Sequence, residues 1–261
     1  MSEKVSAIRK YLLRDQIGPV SFRSWKLTIG NTVTLKLYSH PLASFCHKVL
    51  IALYEAETAF EPLMVDLSDP GDHAQFLDLW PVGKMPVLRD EHRNETIPEA
   101  SIIIEYLDQN YPGRRTILPA DPAICLRARL WDRFFDLYVQ EPMQKIVFDS
   151  FRPEDQKDKV GVESAEQRLM QAYEMVEHRM KDRTWVAGDE FSIAECSAAP
   201  ALFFAGIIVP FKFNQSALRG YFERLVERPS FRRVLVEAQP YFKNFPFHDR
   251  IPEQFLKLKD D

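Results

Sequence analysis

The stretch "LYSHPLASFCHKVLIALYE", residues 37 to 55, concentrates the side chains best suited to chemistry. Tyr38, Ser39, His40 and Ser44 crowd the point where an alternating strand pattern gives way to helical spacing, with Cys46 and His47 just inside the helix. A strand-to-helix break presents unpaired backbone N–H groups and the positive end of the helix dipole, so it favours an anion. The residues alone leave open which anion is held and which side chain holds it.

The elements that position this break follow from the patterning. "TVTLKLY" alternates Val33, Leu35 and Leu37 with Thr34, Lys36 and Tyr38, a strand signature. Residues 44 to 57 carry Phe45, Val49 and Leu53 four apart, as a helix does. "FEPLMVDL" (60 to 67) reads as a second strand, and a short helix covers His73 to Leu79. "MPVLRDE" and "ETIPE" form a hairpin pair, and "ASIIIEYLDQNY" is a helix that Pro112-Gly113 ends. The order is βαβ, a short helix, then ββα.

The segment "PGRRTILPADPA" (112 to 123) has the composition of a domain boundary. Beyond it only helical stripes occur. Leu126, Leu130, Phe134 and Leu137 make one, and Leu169, Tyr173, Val176 and Met180 another. "FSIAEC" supplies a capping box, with Ser192 as N-cap and Glu195 three residues on. The fold class read from this is α/β followed by all-α. A basic extension spans 1–32, an α/β domain 33–112, a linker 113–125, a helical bundle 126–240 and a tail 241–261.

Composition excludes several functions. A chain of 261 residues with net charge −4 argues against a nucleic-acid binder that relies on counterion release. Three widely spaced cysteines, Cys46, Cys125 and Cys196, fit a reducing compartment, hence the cytoplasm. They form neither a disulfide framework nor a zinc site, and the histidines show no metal-ligand spacing. The apolar run 198–211 is shorter than the roughly 20 residues a membrane span needs, so it reads as a buried core helix. Six basic residues against two acidic ones (Glu3, Asp15) set residues 1–32 apart. An appended surface helix is the plain reading of that segment, and an organellar address the alternative.

Taken in order, "LYSHPLASFCHKVLIALYE", "WPVGKMPVL", "IPEASIIIEYL" and "FSIAECSAAP" resemble the cytosolic glutathione S-transferase family over roughly residues 33 to 240. The resemblance implies a thioredoxin-like βαβ-α-ββα domain, then a helical domain, usually a homodimer, with reduced glutathione as co-substrate. A free thiol has pKa about 8.5, and its thiolate is the nucleophile. Lowering that pKa by about two units requires about 2.7 kcal/mol of preference for the anion. A hydroxyl hydrogen bond to a charged sulfur supplies about 1.5–3 kcal/mol, and a helix start adds about 0.3–1 kcal/mol. A hydroxyl at the first helix therefore suffices, without a metal or a side-chain base.

By the resemblance that hydroxyl is Ser44, although the serine- and cysteine-type classes keep theirs one position earlier, at Ala43 here. The alternatives are Tyr38, placed as in the tyrosine-type classes, and a Ser44 that merely caps the helix. Cys46 falls inside the helix and reads as a small buried hydrophobe. Pro86 is expected cis, turning Met85 toward the cysteinyl part of glutathione. Lys84 is either a further polar contact or a solvated lysine. Glu99 pairs with the α-amino group, and the helix-start amides of Ala100 and Ser101 hold the γ-glutamyl carboxylate, with the Ser101 hydroxyl replacing the serine the family has at Ala100. Trp131, Phe134, Phe135 and Tyr138 are lining candidates for a small apolar electrophile, although aromatics at such spacing are more often core. The expectation is a conjugating enzyme. A non-catalytic binding module on the same scaffold is the alternative, favoured by the two alanines.

Overall fold

The computed structural model describes residues 34–259. The basic extension and Val33 lie outside the described residues. The α/β half runs β1 (Leu35–Ser39), α1 (Ser44–Ala56), β2 (Glu61–Met64), α2 (Pro70–Leu79), β3 (Val87–Asp90), β4 (Glu95–Pro98) and α3 (Ala100–Asn110). The sheet order is β2-β1-β3-β4, with β2 parallel to β1 and the other pairs antiparallel. This is the expected thioredoxin-like order.

Period-two alternation sorts the two faces of the sheet. Leu35 and Leu37 pack with Val49 and Leu53 of α1 and with Ile103, Ile104 and Leu107 of α3. The opposite face gathers Val65, Phe76 and Val87, with Tyr38 against them, beneath α2. Asp69 starts α2 by accepting from the N–H groups of Gly71 and Asp72 at 2.8 and 2.9 Å, with Pro70 at the first helical position. At Gly113 an added Cβ would sit 1.9 Å from the Ala56 carbonyl oxygen, so the chain crosses the end of α1 where only glycine fits. The next residue, Arg114, donates its N–H to that oxygen at 2.9 Å.

The helical half comprises α4 (Pro122–Phe134), a π-helical turn (Phe135–Gln140), α5 (Glu141–Ser150), α6 (Lys159–Met180), α7 (Ile193–Ile208), α8 (Ser216–Glu227) and α9 (Pro229–Ala238). Among the described residues no strand follows β4. Helix α4 starts at Pro122, within the segment read as a linker, where Asp121 caps it by accepting from the N–H groups of Ala123 and Ile124. The capping box forms as read: the Ser192 hydroxyl accepts from the Ala194 N–H, and Glu195 returns to the Ser192 N–H at 2.8 Å. The apolar run belongs to α7, buried along nearly its whole length at the centre of the bundle. Among the described residues no helix is long and apolar enough to cross a membrane.

Two expectations need correction. Of the stripe Leu126, Leu130, Phe134 and Leu137, only Phe134 is buried; Leu126 and Leu130 on α4 face outward, 69% and 65% exposed, as does Leu137 in the π-helical turn. The buried face carries Ala128 and Asp132 beside Phe134, and Asp132 joins a polar node in the interior. Residues 241–259 of the segment expected as a tail pack on the bundle, burying Tyr241, Phe242, Phe245, Ile251 and Phe255 through 3-10 turns and α10 (Glu253–Leu256).

Candidate active site

Helix α1 begins at Ser44, with Ala43 as N-cap in extended conformation (φ −88°, ψ 109°) and no side-chain cap. Both Cys46 and His47 donate their N–H groups to the Ala43 carbonyl, at 2.8 and 3.1 Å. Among the described residues the amides of Ser44 and Phe45 find no backbone acceptor, as the first amides of a helix do not. Ser44 is therefore not the cap. It is 4% exposed, and its hydroxyl makes no hydrogen bond among the described residues. A hydroxyl without a partner thus stands beside two unused N–H donors at a helix start, an arrangement that stabilises an anion.

Tyr38 lies elsewhere. Strand alternation turns its ring to the α2 face, 6.5 Å from Phe76, whereas the α1 face of β1 carries Leu35, Leu37 and Ser39. Cys46 is fully buried, and burial pushes its thiol pKa up to about 12 despite a hydrogen bond with the His40 backbone. It stays protonated at neutral pH and packs as a small hydrophobe.

Sequence reasoning assigned His40 and His47 no role. His47 Nε2 is 2.5 Å from the Pro41 carbonyl, and since a carbonyl only accepts, Nε2 carries the proton. The other nitrogen, Nδ1, is buried without a partner, and the ring packs 5.5 Å from Phe204. His40 Nδ1 accepts from the Leu42 N–H at 3.2 Å, which holds the same loop. Burial pushes both histidines down to about 4, so at neutral pH they are uncharged spacers that shape the break.

The peptide-binding candidates cluster around two backbone irregularities. Met85–Pro86 is cis, as expected, and Met85 precedes the β1–β3 ladder, which begins at Val87 opposite Tyr38. Among the described residues no backbone group pairs with Met85. Pro86 is buried and Lys84 exposed. Glu99, exposed at the start of α3, takes φ 69° and ψ 115°, a strained conformation for a non-glycine residue. Strain of this kind gathers at ligand sites, and among the described residues the helix-start amides of Ala100 and Ser101 beside it have no backbone acceptor. Ala100 itself is buried.

The Ser101 hydroxyl points away from those amides into the domain boundary. There it accepts from Lys48 Nζ at 2.8 Å and donates to Asp132 Oδ2 at 2.7 Å. The backbone N–H of Ser101 remains at the helix start; its side chain is committed. Lys48, Asp132, Asp136 and Ser197, which complete this node, are absent from the sequence-based candidates. Two signals pointed to them: a lysine on the apolar side of α1, and two aspartates four apart in "WDRFFD".

Of the lining candidates, Phe134 and Phe135 are core, joined edge-on at 5.5 Å. Trp131 is half-buried, 4.7 Å from Phe134, and Tyr138 is exposed, 5.4 Å from Phe134. A hollow of about 440 Å³ lies elsewhere, lined by Phe203, Phe211, Phe222, Arg219, Arg250 and Phe255, and contains none of the candidate residues. Among the described residues no group of three or more His, Cys, Asp or Glu side chains is placed to hold a metal ion.

A four-stranded thioredoxin-like sheet, a cis proline entering β3 and an all-helical second domain define the class: two-domain thioredoxin-like proteins. Residues 37–115 match the family model "Glutathione S-transferase, N-terminal domain", and residues 139–229 match "Glutathione S-transferase, C-terminal domain". The chain belongs to the glutathione S-transferase family. It is similar to glutathione S-transferase GstB of Escherichia coli K12, 25% identical over 72% of this chain and 91% of that protein. It is similar as well to a stringent starvation protein A homolog of Coxiella burnetii, 26% identical over 78% of this chain and 93% of that protein. Among solved structures, a glutathione S-transferase of Methylobacillus flagellatus with glutathione bound superposes with TM-score 0.69 at 22% identity, covering 77% of this chain and 98% of that one. The glutathione transferase URE2P8 of Phanerochaete chrysosporium, solved with oxidized glutathione, gives TM-score 0.70 at 20% identity, covering 82% and 99%.

Proposed function

We propose that the protein is a glutathione transferase that ionises the thiol of reduced glutathione and adds the thiolate to a small apolar electrophile. The observation that carries this reading is the unpartnered Ser44 hydroxyl beside the free amides of Ser44 and Phe45. Met85 offers its backbone to the cysteinyl residue, and Glu99 offers a carboxylate to the α-amino group. The amides of Ala100 and Ser101 take the γ-glutamyl carboxylate, and exposed Lys84 stands beside the peptide edge. The thiol proton passes to solvent. With an aryl halide, sulfur bonds to the ring carbon and the halide leaves with its bonding pair.

Tyr38 is a weaker choice for the activating hydroxyl, since its ring packs toward Phe76 on the far face of the sheet. Leu126 and Leu130 on α4 and Ile102 on α3 form an exposed apolar strip, beside which Arg129 clamps Glu105 at 2.8 and 2.6 Å. An apolar strip of this kind supports a homodimer. Three free cysteines support a reducing, cytoplasmic setting.

Glutathione-dependent conjugation of a generic aryl halide tests the reading, with Ser44→Ala as the control. A loss of about 10- to 100-fold in a folded variant supports it; full activity retained moves the role to Tyr38 or to the backbone donors. A second reading, a glutathione-transferase-like binding module without turnover, is favoured by Ala43 and Ala100 and by the similarity to stringent starvation protein A homologs. Calorimetry with reduced glutathione separates the two, because a wild-type protein that neither binds nor turns over glutathione leaves only the module.

A further inference from the structure

We propose that Lys48 is a positioning residue for the glutathione site, acting through a buried polar node that fastens both helix starts of that site to the helical domain. This rests on the glutathione-binding reading above. Lys48 is fully buried on α1, one turn beyond Ser44 and on the same face. Its ammonium has three protons and three partners: Asp132 Oδ1 at 2.6 Å, Asp136 Oδ2 at 2.9 Å and Ser101 Oγ at 2.8 Å. Ser101, the second residue of α3, also donates to Asp132 Oδ2 at 2.7 Å. From α7, Ser197 donates to Asp132 Oδ1 at 2.6 Å and reaches Asp136 Oδ1 at 3.3 Å. The Arg133 guanidinium is 3.5 Å from Asp136 Oδ2, so two cations meet two carboxylates.

The topology gives the node its meaning. Helices α1 and α3 carry the amides assigned to the sulfur and to the γ-glutamyl carboxylate, and each is anchored within its first two turns. Both anchors converge on Asp132 of α4, with Asp136 of the π-helical turn completing the seat. Such a node is poorly explained by stability, because well-packed apolar replacements of a buried ion pair are often neutral or stabilising. Fixed geometry is what a fully satisfied polar network adds. Reacting groups displaced by about 1 Å lose rate by about 10²-fold.

The test uses the full chain and two variants. The first, Lys48→Met/Asp132→Asn/Asp136→Asn, removes the central charges together; the second, Ser101→Ala, cuts only the α3 tether and changes no charge. Each is measured for urea midpoint, for glutathione Kd by calorimetry, and for amide exchange at the first turns of α1 and α3, with α2 as internal control. The triple variant is expected to stay folded, to bind glutathione at least tenfold more weakly, and to exchange about tenfold faster at both helix starts but not in α2. Ser101→Ala is expected to weaken binding about threefold or more and to speed exchange at α3 alone, and it decides the matter if the triple variant does not fold. A folded variant with wild-type Kd overturns the proposal. If the wild-type protein binds no glutathione, the transferase reading fails separately; exchange then decides, and unchanged exchange at both helix starts overturns the positioning role.

Discussion

His47 reaches back from the first turn of α1 to the loop before it, its Nε2–H donating to the Pro41 carbonyl at 2.5 Å. That bond ties the two sides of the strand-to-helix break to each other, while burial keeps the ring uncharged, with its Nδ1 buried without a partner. His40 holds the same loop through the Leu42 N–H.

A pH dependence follows from these two rings. Burial lowers both pKa values from 6.5 to about 4, so between those limits the unfolded chain binds more protons than the folded one. Their contribution is whole above about pH 6.5 and is lost as pH falls toward 4. Urea midpoints measured across that window should decline, and the decline should be shallower in His47→Gln. An equal slope in the variant would show that His47 does not titrate there.

Ser44→Ala should separate chemistry from folding. The hydroxyl has no partner and is not the helix cap, so the stability change should stay within about 0.5 kcal/mol. One hydrogen bond to a charged group is worth about 1.5–3 kcal/mol, which corresponds to a loss of about 10- to 100-fold in kcat/KM. Steady-state kinetics with an aryl halide, alongside urea unfolding, checks both.

Glu195 is expected to matter to the helical domain far more than Ser192 does. Its buried carboxylate accepts from the Val186 and Ser192 N–H groups at 2.8 Å, from the Ser192 hydroxyl at 2.8 Å and from the Tyr221 hydroxyl at 3.2 Å. Losing the Ser192 cap costs about 1 kcal/mol. Glu195→Ala leaves several buried donors bare at about 1–3 kcal/mol each. Urea midpoints of the two variants should fall in that order.

Lys48→Met alone should be severe where the charge-neutral triple variant is mild. Removing only the ammonium strands Asp132 and Asp136 in the interior, which costs about 3–5 kcal/mol. Burial already raises the Asp136 pKa against the pull of Lys48, so losing the ammonium should raise it further and make the lone variant more stable at the lower pH. Unfolding measured at two pH values reads both effects.

The order of elements was legible because each signal is local. Alternation in β1 and the Ser192–Glu195 box each act within a few residues. The outward turn of Leu126 and Leu130 was not, because helical spacing finds a stripe without saying which neighbour covers it. The destination of the Ser101 hydroxyl was hidden for a related reason. The family resemblance placed it at a helix start, while Lys48 and Asp132, 53 and 31 residues away in sequence, hold it in the domain boundary. Local chemistry shows in one segment; convergence of several does not.

The account stands on sulfur being more acidic at the start of α1 than in water. Titrating the thiolate absorbance of glutathione bound to the wild-type protein measures this directly. The expected result is an apparent pKa about two units below the roughly 8.5 of a free thiol, with most of that shift lost in Ser44→Ala. A bound thiol that ionises at its free-solution pKa would contradict it.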